Sequence, residues 1–224
     1  MELDKVLFYT GHSGFFMKSE GFTLVIDPYR ISDSLKIKAD LLLITHAHFD
    51  HCSKEDMQKV ITGNTEIISS QGCVEDYGFK NTTIIKPGFR HSVRNIDIEA
   101  VPAYNTRPER LNFHPKANGW VGYIVAIGGL RIYHAGDTDF IDEMRKLKSL
   151  DAALLPAGGT YVMTADEAIE AANAIKPKFA IPMHYKNLLG KAGSEELEDK
   201  FREKLGGNAL IMKEVDGANV TYKF

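Results

Sequence analysis

Hydrophobic positions in the first half of the chain fall into short runs that glycines and polar turns interrupt, a pattern typical of β-strands. The near-continuous apolar run Ala39–Thr45 predicts a strand that is buried on both faces. Ser53, followed three residues later by Asp56, resembles a capping box and predicts a helix that ends near Ile61. The other strands predicted in this half are Lys5–Tyr9, Phe15–Lys18, Phe22–Ile26, Glu66–Ser69, Thr82–Lys86, Ser92–Arg94 and Asp97–Val101.

The second half begins with an aperiodic stretch, Tyr104–Gly119, which we interpret as a long loop of the kind that is functional or disordered. Two strands, Trp120–Ile127 and Leu130–His134, follow it and are joined by Gly128-Gly129, a strong hairpin signal. Helices and strands then alternate. The predicted helices are Phe140–Leu147, Thr164–Ile175 and Glu195–Leu205, and the predicted strands are Ala152–Pro156, Phe179–His184, Ala209–Glu214 and Asn219–Lys223.

The two halves of the chain have a similar organisation. Each contains a series of strands, then a buried strand that ends in a turn bearing His or Asp, and then a helix. Because no linker separates the halves, we expect residues 1–224 to form a single domain. Its strand-rich sheets must be covered by helices on the outside.

Composition narrows the function classes. The chain has 27 Lys and Arg against 30 Asp and Glu, so it lacks the positive excess typical of nucleic-acid and membrane surfaces. Its apolar runs are far shorter than the roughly 20 residues of a membrane span, and its N-terminus does not resemble a signal peptide. Cys52 and Cys73 are too few for a disulfide framework, which favours reduced cysteines. We therefore expect a cytoplasmic protein with a small-molecule substrate; formation of a homo-oligomer is left open.

The strongest chemical signal is the string from Thr45 to His51, directly after the buried strand. His46, His48, Asp50 and His51 place three imidazoles and a carboxylate within six residues, and both are good ligands for cations such as zinc. In an extended segment His46 and His48 point to one side, whereas Asp50 and His51 lie past the bend and can bind a second ion. The alternative is a solvated polar loop, but histidine is scarce in this chain, with eight in all.

Two further strings each follow a predicted strand. Asp137 comes after Gly136, which permits a tight turn, and its carboxylate could bridge two cations. His184 ends an apolar strand in the string Ile181–Tyr185. Taken singly, Asp137 is more readily explained as a helix cap, and His184 as a structural histidine.

Together the three strings resemble the metallo-β-lactamase superfamily over roughly residues 5–215. The string His46–His51 matches its signature motif, Asp137 matches the bridging aspartate and His184 matches the final histidine. The strings Gly11–Phe15, Tyr133–Thr138 and Pro182–Tyr185 are similar to the branch of ascorbate-phosphate lactonase-like proteins and phospholipase-D-type phosphodiesterases.

The resemblance implies an α/β fold, the αββα sandwich, in which two mixed β-sheets pack face to face with helices on the outside. It also implies two divalent metal ions, with zinc in first place, although manganese, iron and nickel accept the same ligands. The implied metal ligands are His46, His48, Asp50, His51, Asp137 and His184.

One position departs from the superfamily pattern. A further histidine is expected between the first motif and the bridging aspartate, but this chain has Tyr104 and Asn105 at the matching place. His114, in the long loop, is a candidate substitute for this ligand, and a candidate substrate contact. If nothing replaces the missing ligand, the first ion has only two histidines, Asp137 and water, and binds weakly.

Several other residues are candidates for supporting roles. His12, on a glycine-flanked turn, is either a site residue or a structural hydrogen-bonding group, and Asp27 either orients a ligand imidazole or forms a plain turn. Arg107, Arg110 and Lys116 are candidates to bind an anionic group of the substrate, the alternative being solvated charges.

Other side chains are candidates for a pocket wall or for a nucleophile. A catalytic Cys52 is disfavoured because the neighbouring histidines are assigned to metal. The aromatic residues that could line a pocket, or simply pack in the core, are Phe15, Phe16, Tyr104, Phe113 and Trp120.

These residues predict a hydrolase, because two divalent ions lower the pKa of a shared water toward neutrality. Asp50 is the candidate catalytic residue that orients the nucleophile or moves its proton. The expected substrate is a small anionic ester, lactone or phosphodiester. The alternatives are a nuclease of the same fold, which the charge balance disfavours, a diiron redox protein, which requires Glu in place of His48, and a metal-binding protein with a degenerate site.

Overall fold

The computed structural model describes residues 3–215, which form two compact units. The first unit contains residues 3–84 and 212–215, and the second contains residues 85–211. Each unit is organised around one six-stranded mixed sheet. The expectation of a single domain stays a prediction.

The first unit has one α-helix, α1 (Lys54–Val60), and six strands, β1 (Leu7–Gly11), β2 (Gly14–Ser19), β3 (Phe22–Ile26), β4 (Leu41–Ile44), β5 (Glu66–Ser70) and β6 (Thr82–Ile85). The strands lie in sequence order across the sheet. β1, β2 and β3 are antiparallel, whereas β3, β4 and β5 are parallel. The Ser53 hydroxyl accepts a hydrogen bond from the Asp56 amide and caps α1, as the sequence predicts.

The parallel strands of the first unit determine where its polar residues gather. All four residues of β4 are buried, which agrees with the strand predicted to be covered on both faces. Because β3, β4 and β5 run in one direction, their carboxyl ends lie at the same edge of the sheet. Asp27 follows β3, the string His46–His51 follows β4 and Cys73 follows β5, so these segments meet at that edge.

The second unit has two α-helices, α2 (Ala165–Ile175) and α3 (Lys186–Leu205), and six strands, β7 (Arg90–Val93), β8 (Ile96–Pro102), β9 (Val121–Ile127), β10 (Leu130–His134), β11 (Ala152–Pro156) and β12 (Phe179–Met183). The strand order is again sequential. β7 to β10 are antiparallel, and β10, β11 and β12 are parallel. Asp137 and His184 follow β10 and β12, so they too lie at one edge of their sheet.

Some predicted elements near the end of the chain are wrong. Residues 140–147 contain only a 3₁₀ turn, Asp142–Lys146, which no side chain caps. The predicted strand Ala209–Glu214 is reduced to single bridges at its two ends. Helix α3 begins at Lys186, nine residues earlier than expected, and bends at Gly190, which has a positive φ of 63°. The predicted strand Asn219–Lys223 lies outside the described residues.

The structure pairs Cys52 with Cys73 in a disulfide, which corrects the expectation of reduced cysteines. Both side chains are buried. The physical reason is the parallel pairing of β4 with β5, which brings residues 52 and 73 to a Cα–Cα distance of 6.1 Å. That separation lies in the usual range for disulfides.

None of the helices within residues 3–215 combines the length and the apolar character that crossing a lipid bilayer requires.

Candidate metal centre

Asp27 organises the polar residues at the sheet edge of the first unit. Its carboxylate is fully buried and accepts hydrogen bonds from the Thr45 backbone amide at 2.8 Å and the Thr45 hydroxyl at 2.6 Å. The same carboxylate lies 2.7 Å from His51 Nδ1. Because a buried carboxylate needs several donors, these contacts explain how Asp27 is stabilised, and they leave Nε2 as the nitrogen of His51 that could bind a metal ion.

Thr45 transmits the same constraint to His46. Its hydroxyl oxygen lies 2.9 Å from His46 Nδ1. The carboxylate of Asp27 can only accept, so the hydroxyl gives its proton to Asp27 and accepts one from His46 Nδ1. A single aspartate thereby fixes the proton position on two imidazoles and leaves Nε2 of each as the nitrogen that could bind a metal ion.

The two histidines spaced two apart face each other, as the extended turn predicts. His46 Nε2 lies 3.1 Å from His48 Nδ1. Two imidazole nitrogens bound to one tetrahedral zinc ion lie about 3.3 Å apart, given Zn–N distances near 2.0 Å. The observed separation fits a shared cation, and without an ion it fits a hydrogen bond from His48 Nδ1 to His46 Nε2.

His12 joins the other two members of the motif. Its Nε2 lies 2.9 Å from Asp50 Oδ2, and the side chain of His12 is buried, whereas that of Asp50 is 19% exposed. The ligand atoms of His12, Asp50 and His51 all lie within 4.8 Å of one another. We call the set His12, Asp27, Thr45, His46, His48, Asp50 and His51 the His46 cluster.

The second unit gathers its own set of ligand types around one oxygen atom. Asp137 Oδ2 lies 3.0 Å from His184 Nε2 and 3.3 Å from His114 Nε2, and all three side chains are buried. His114 therefore reaches Asp137 from the long loop, although it lies 23 residues earlier in the chain. With Asn105, these residues form what we call the Asp137 cluster.

Asn105 anchors His114. Its amide nitrogen Nδ2 contacts the carbonyl oxygens of Arg110 at 2.9 Å and Tyr161 at 2.8 Å, and it lies 3.1 Å from His114 Nδ1. The Asn105 backbone amide also donates to the His114 carbonyl at 2.8 Å. Asn105 thus holds His114 in place, and His114 is the histidine that reaches Asp137 from the long loop.

Close backbone packing holds His184 in an unusual conformation. His184 has a φ of +56°, which is uncommon for a residue other than glycine. A Cβ atom at Gly158, in the segment after β11, would overlap the His184 carbonyl oxygen. Glycine at position 158 is therefore required for the chain to carry His184 into its place.

The long loop is ordered by a buried ion pair, which corrects the role considered for Arg110. Arg110 is 3% exposed, and its guanidinium contacts Asp139 at 2.8 Å and both oxygens of Glu167 at 2.8 Å. Asp139 also accepts the backbone amides of Thr106 and Arg107 at 2.7 and 2.8 Å. Arg110 is therefore committed to structure and is not an exposed anion-binding group.

The side chains of Arg107 and Lys116 are much more exposed than that of Arg110. Arg107 is 55% exposed and pairs with Glu167 at 2.8 Å, whereas Lys116 is 67% exposed and contacts the Tyr104 hydroxyl at 3.0 Å. The Tyr104 hydroxyl also donates to Glu143. Burial alone would raise the pKa of Glu143, but hydrogen bonds from its own backbone and from Tyr104, with the charge of Lys116, lower it.

The structure thus gathers the ligands predicted from sequence in two sets, one in each unit. His12, which the sequence left open, contacts Asp50, and Asp27 has the orienting role that was one of its two interpretations. Substrate-binding roles for Tyr104, Asn105 and Lys116 stay predictions. Phe15 and Phe16 are fully buried core residues and do not line a pocket.

Two supporting residues are not predicted from the sequence. Thr45 is predicted only as the end of a strand, whereas its hydroxyl links Asp27 to His46. The carboxylate of Asp139 organises the long loop. The local signal for Thr45 is its place between an apolar strand and the first histidine. Asp139 has no local signal, because its partner Thr106 lies about 30 residues away along the chain.

Comparison with known proteins gives one consistent family. Residues 6–184 match the family described as the β-lactamase superfamily domain. A UPF0173 metal-dependent hydrolase of Thermoplasma acidophilum is 34% identical, and the alignment covers 96% of this chain and 98% of that protein.

Two solved structures are similar in fold and sequence. A protein of Parabacteroides distasonis, whose description proposes a metal-dependent hydrolase, is 35% identical with a TM-score of 0.81, covering 92% of this chain and 91% of its own. A metallo hydrolase of Ignicoccus hospitalis is 27% identical with a TM-score of 0.72, covering 93% and 94%. These similarities confirm the α/β sandwich class that the sequence predicts. The chain belongs to the β-lactamase superfamily, in agreement with the resemblance carried by its motifs.

Proposed function

We propose that the chain binds two divalent metal ions, zinc in first place, and hydrolyses an ester, lactone or phosphodiester bond of a small anionic substrate. That it is a metal-dependent hydrolase follows from its family and from the relatives of that description. The proposal includes a small-molecule partner, no nucleic-acid partner and a cytoplasmic location. The net charge of −3 is consistent with it.

One observation carries the metal assignment, namely the way Asp27 fixes the imidazoles of the His46 cluster. Carboxylate-supported histidines are typical of metal ligands, because the support sets the tautomer and makes the ligand nitrogen more basic. Asp27 acts on His51 directly and on His46 through Thr45. The 3.1 Å distance between the facing nitrogens of His46 and His48 fits the same assignment.

The proposed ligands are the residues that the superfamily motif implies, whose order is matched in full except for one histidine. The first unit would contribute His46, His48, Asp50 and His51. The second unit would contribute Asp137 and His184, with His114 as the candidate for the missing histidine.

The residues of the chain then have defined chemical tasks. Bound divalent ions supply Lewis acidity, which lowers the pKa of water and polarises the oxygen of the scissile group. Asp50 orients the attacking water and accepts its proton, because its carboxylate is partly exposed and lies within the motif. His12 fixes the Asp50 carboxylate through the 2.9 Å contact to Oδ2. Lys116, whose ammonium is 67% exposed and pairs with Glu143 at 3.4 Å, is the proposed contact for an anionic group of the substrate.

The proposal is tested by metal content and by turnover of a panel of esters, lactones and phosphodiesters. Asp50→Ala and Asp137→Asn should each lower the metal content and abolish turnover, because each removes a ligand. Asp142→Asn is the control, since Asp142 is 98% exposed and forms an exposed pair with the nearby Arg145. Normal turnover in either cluster variant would contradict the proposal.

A further inference from the structure

The disulfide of Cys52 and Cys73 lies directly beside the His46 cluster and has a chemistry of its own. Cys52 is the residue after His51, and the chain has no other cysteines. In the proposed cytoplasmic location a permanent disulfide is unusual, because most disulfides that form there are transient or redox-sensing. Intracellular proteins of hyperthermophiles are the exception, so a permanent structural cross-link is the alternative that an experiment must exclude.

The surroundings of the two sulfur atoms suit two thiols as well as a disulfide. Cys52 Sγ lies 3.2 Å from the carbonyl oxygen of Cys73, and Cys73 Sγ lies 3.7 Å from the carbonyl oxygen of His46. A disulfide sulfur has no proton to donate, whereas each thiol that reduction forms has one of these oxygens as its acceptor. Reduction therefore leaves neither buried thiol without an acceptor, and the fold can hold the pair in both redox states.

Cys73 is the more accessible partner for thiol exchange. It is 6% exposed, against 2% for Cys52, and its neighbours Gly72 and Glu75 are exposed. The thiolate of a small thiol such as glutathione attacks Cys73 Sγ, forms a mixed disulfide and releases Cys52 as a thiolate, which takes up a proton. A second glutathione attacks the glutathione sulfur of the mixed disulfide and releases Cys73 in the same way. Two electrons thus pass from two glutathiones, which leave as one oxidised glutathione, to the cysteine pair.

The disulfide helps to hold residues 46–52, which we call the ligand turn, against the segment after β5. Within the ligand turn, the backbone amides of His51 and Cys52 both donate to the carbonyl of His48, at 3.0 and 2.8 Å. From the segment after β5, the Tyr77 hydroxyl donates to the Cys52 carbonyl at 3.0 Å. After reduction these hydrogen bonds act without the covalent link, and a single hydrogen bond contributes only about 0.5–1.5 kcal/mol to stability. The ligand turn then opens more readily.

We propose that Cys52 and Cys73 form a redox-active site, at which reduction by a thiol of the glutathione class loosens the ligand turn and lowers the metal affinity of the His46 cluster. The effect on metal rests on the proposed function, which it extends by a form of control. The cluster binds metal most tightly when the surrounding thiols are oxidised, because only then is the ligand turn cross-linked.

Thiol counting and hydrogen exchange test the inference on the metal-free protein. Wild type is equilibrated, without denaturant, in a glutathione buffer poised as in a reducing cytosol, and free thiols are counted by mass after alkylation. Two thiols should appear in each chain, because labile disulfides are reduced by the glutathione pool whereas structural ones resist it. Amide exchange should become faster in a peptide that covers the ligand turn and stay unchanged in one that covers α2. A disulfide that survives, or unchanged exchange in the ligand turn, would overturn the inference.

Zinc affinity measures the consequence for the His46 cluster. After glutathione has been removed, the reduced wild type should bind zinc about tenfold more weakly than the oxidised protein, the lower end of the effect of losing support for a ligand. Cys73→Ser is the matched control. It cannot form the disulfide, so its affinity should equal that of the reduced wild type and should not respond to glutathione treatment.

The outcomes separate this inference from the proposed function. Equal zinc affinity in the oxidised and reduced wild type would overturn the control of metal binding while leaving the proposed function intact. If neither form binds zinc, the proposed function fails, and the thiol count and the exchange of the ligand turn still decide whether the pair is a redox-active site.

Discussion

A small set of side chains at the edge of the first-unit sheet controls where protons lie on the candidate ligands. Imidazole can present either ring nitrogen to a metal ion, and the hydrogen bond at the other nitrogen decides which one is used. The three hydrogen-bonding contacts of Asp27 decide it for His46 and His51 together. Asp27 is therefore expected to matter for metal binding although it need not touch an ion.

Replacing Asp27 by Asn tests this role. The amide cannot accept all the bonds that the carboxylate accepts, so the imidazole tautomers lose their support. We expect metal affinity to fall by about 10–100-fold, the usual effect of removing such a partner. Affinity is measured by competition with a chromophoric chelator.

Asp40→Asn is the control for this substitution, because Asp40 is exposed and its carboxylate accepts one backbone amide, from Thr23, in the same unit. Its metal affinity should equal that of the wild type. An unchanged affinity in Asp27→Asn would show that the tautomers are fixed in another way.

For individual residues, the sequence predicts which side chains are candidate metal ligands. It does not predict all of the side chains that hold the ligand-bearing segments in place. The string His46–His51 can be recognised as a candidate ligand set because three histidines within six positions are rare by chance. The burial of Arg110 cannot be predicted from the sequence, because its partner Glu167 lies 57 residues further along the chain. Only tertiary structure turns this apparent surface charge into a buried ion pair.

The long loop between β8 and β9 behaves as an ordered element. Arg110 neutralises Asp139 in a buried setting and reaches Glu167, the residue that completes the capping box of α2. Its guanidinium also donates to the carbonyl of Val162 at 2.9 Å. The loop that carries His114 is thus attached to α2 and to the segment that precedes it.

Removing the Arg110 charge should destabilise the protein strongly. Arg110→Met leaves Asp139 buried without a cation, and breaking a buried pair in this way costs about 3–5 kcal/mol. Arg90→Met is the control, because Arg90 is 75% exposed and its pair with Glu99 should contribute less than about 1 kcal/mol. Chemical denaturation at neutral pH measures both, and similar losses in the two variants would contradict the structural role of Arg110.

The ion pair between Arg110 and Glu167 gives the free energy of unfolding a defined pH dependence. Burial alone would raise the pKa of Glu167, but the hydrogen bond and charge of Arg110, with the Thr164 amide and Arg107, lower it to about 2. A depressed carboxylate pKa stabilises the folded state above the unfolded value near 4.5, and this contribution is lost as the pH falls from there toward 2. In Glu167→Gln the unfolding free energy should fall less steeply over that window, and an unchanged slope would contradict the assignment.

Secondary structure was most predictable where apolar residues follow a clear period or form a buried run. The strands of both sheets and the capped helices α1 and α2 follow from such patterns. The first turns of α3 do not follow from such a pattern. The single bridges at Ala209 and Glu214 do not either, because their partners, Ala180 and Tyr9, are distant in sequence. Residues 140–147 form only a 3₁₀ turn, Asp142–Lys146, in place of the predicted helix.

Across the whole molecule, both units use the same rule of construction. Each sheet places three parallel strands side by side, and each presents its candidate ligands at the carboxyl edge of those strands. The similarity of the two halves and the ligand strings can be predicted from the sequence, but the disulfide between Cys52 and Cys73 depends on the pairing of β4 with β5. Because Cys52 directly follows His51, the disulfide links the turn that carries the candidate ligands to the segment after β5.

The central claim is that the candidate ligands of the His46 cluster and of the Asp137 cluster bind divalent metal. Anomalous diffraction from metal-loaded crystals, recorded on both sides of the zinc absorption edge, tests this claim most directly. We predict a metal peak within about 2.0–2.2 Å of the His46 and His48 nitrogens, and a metal peak within that distance of an Asp137 oxygen. The absence of a metal peak at either cluster would contradict the account.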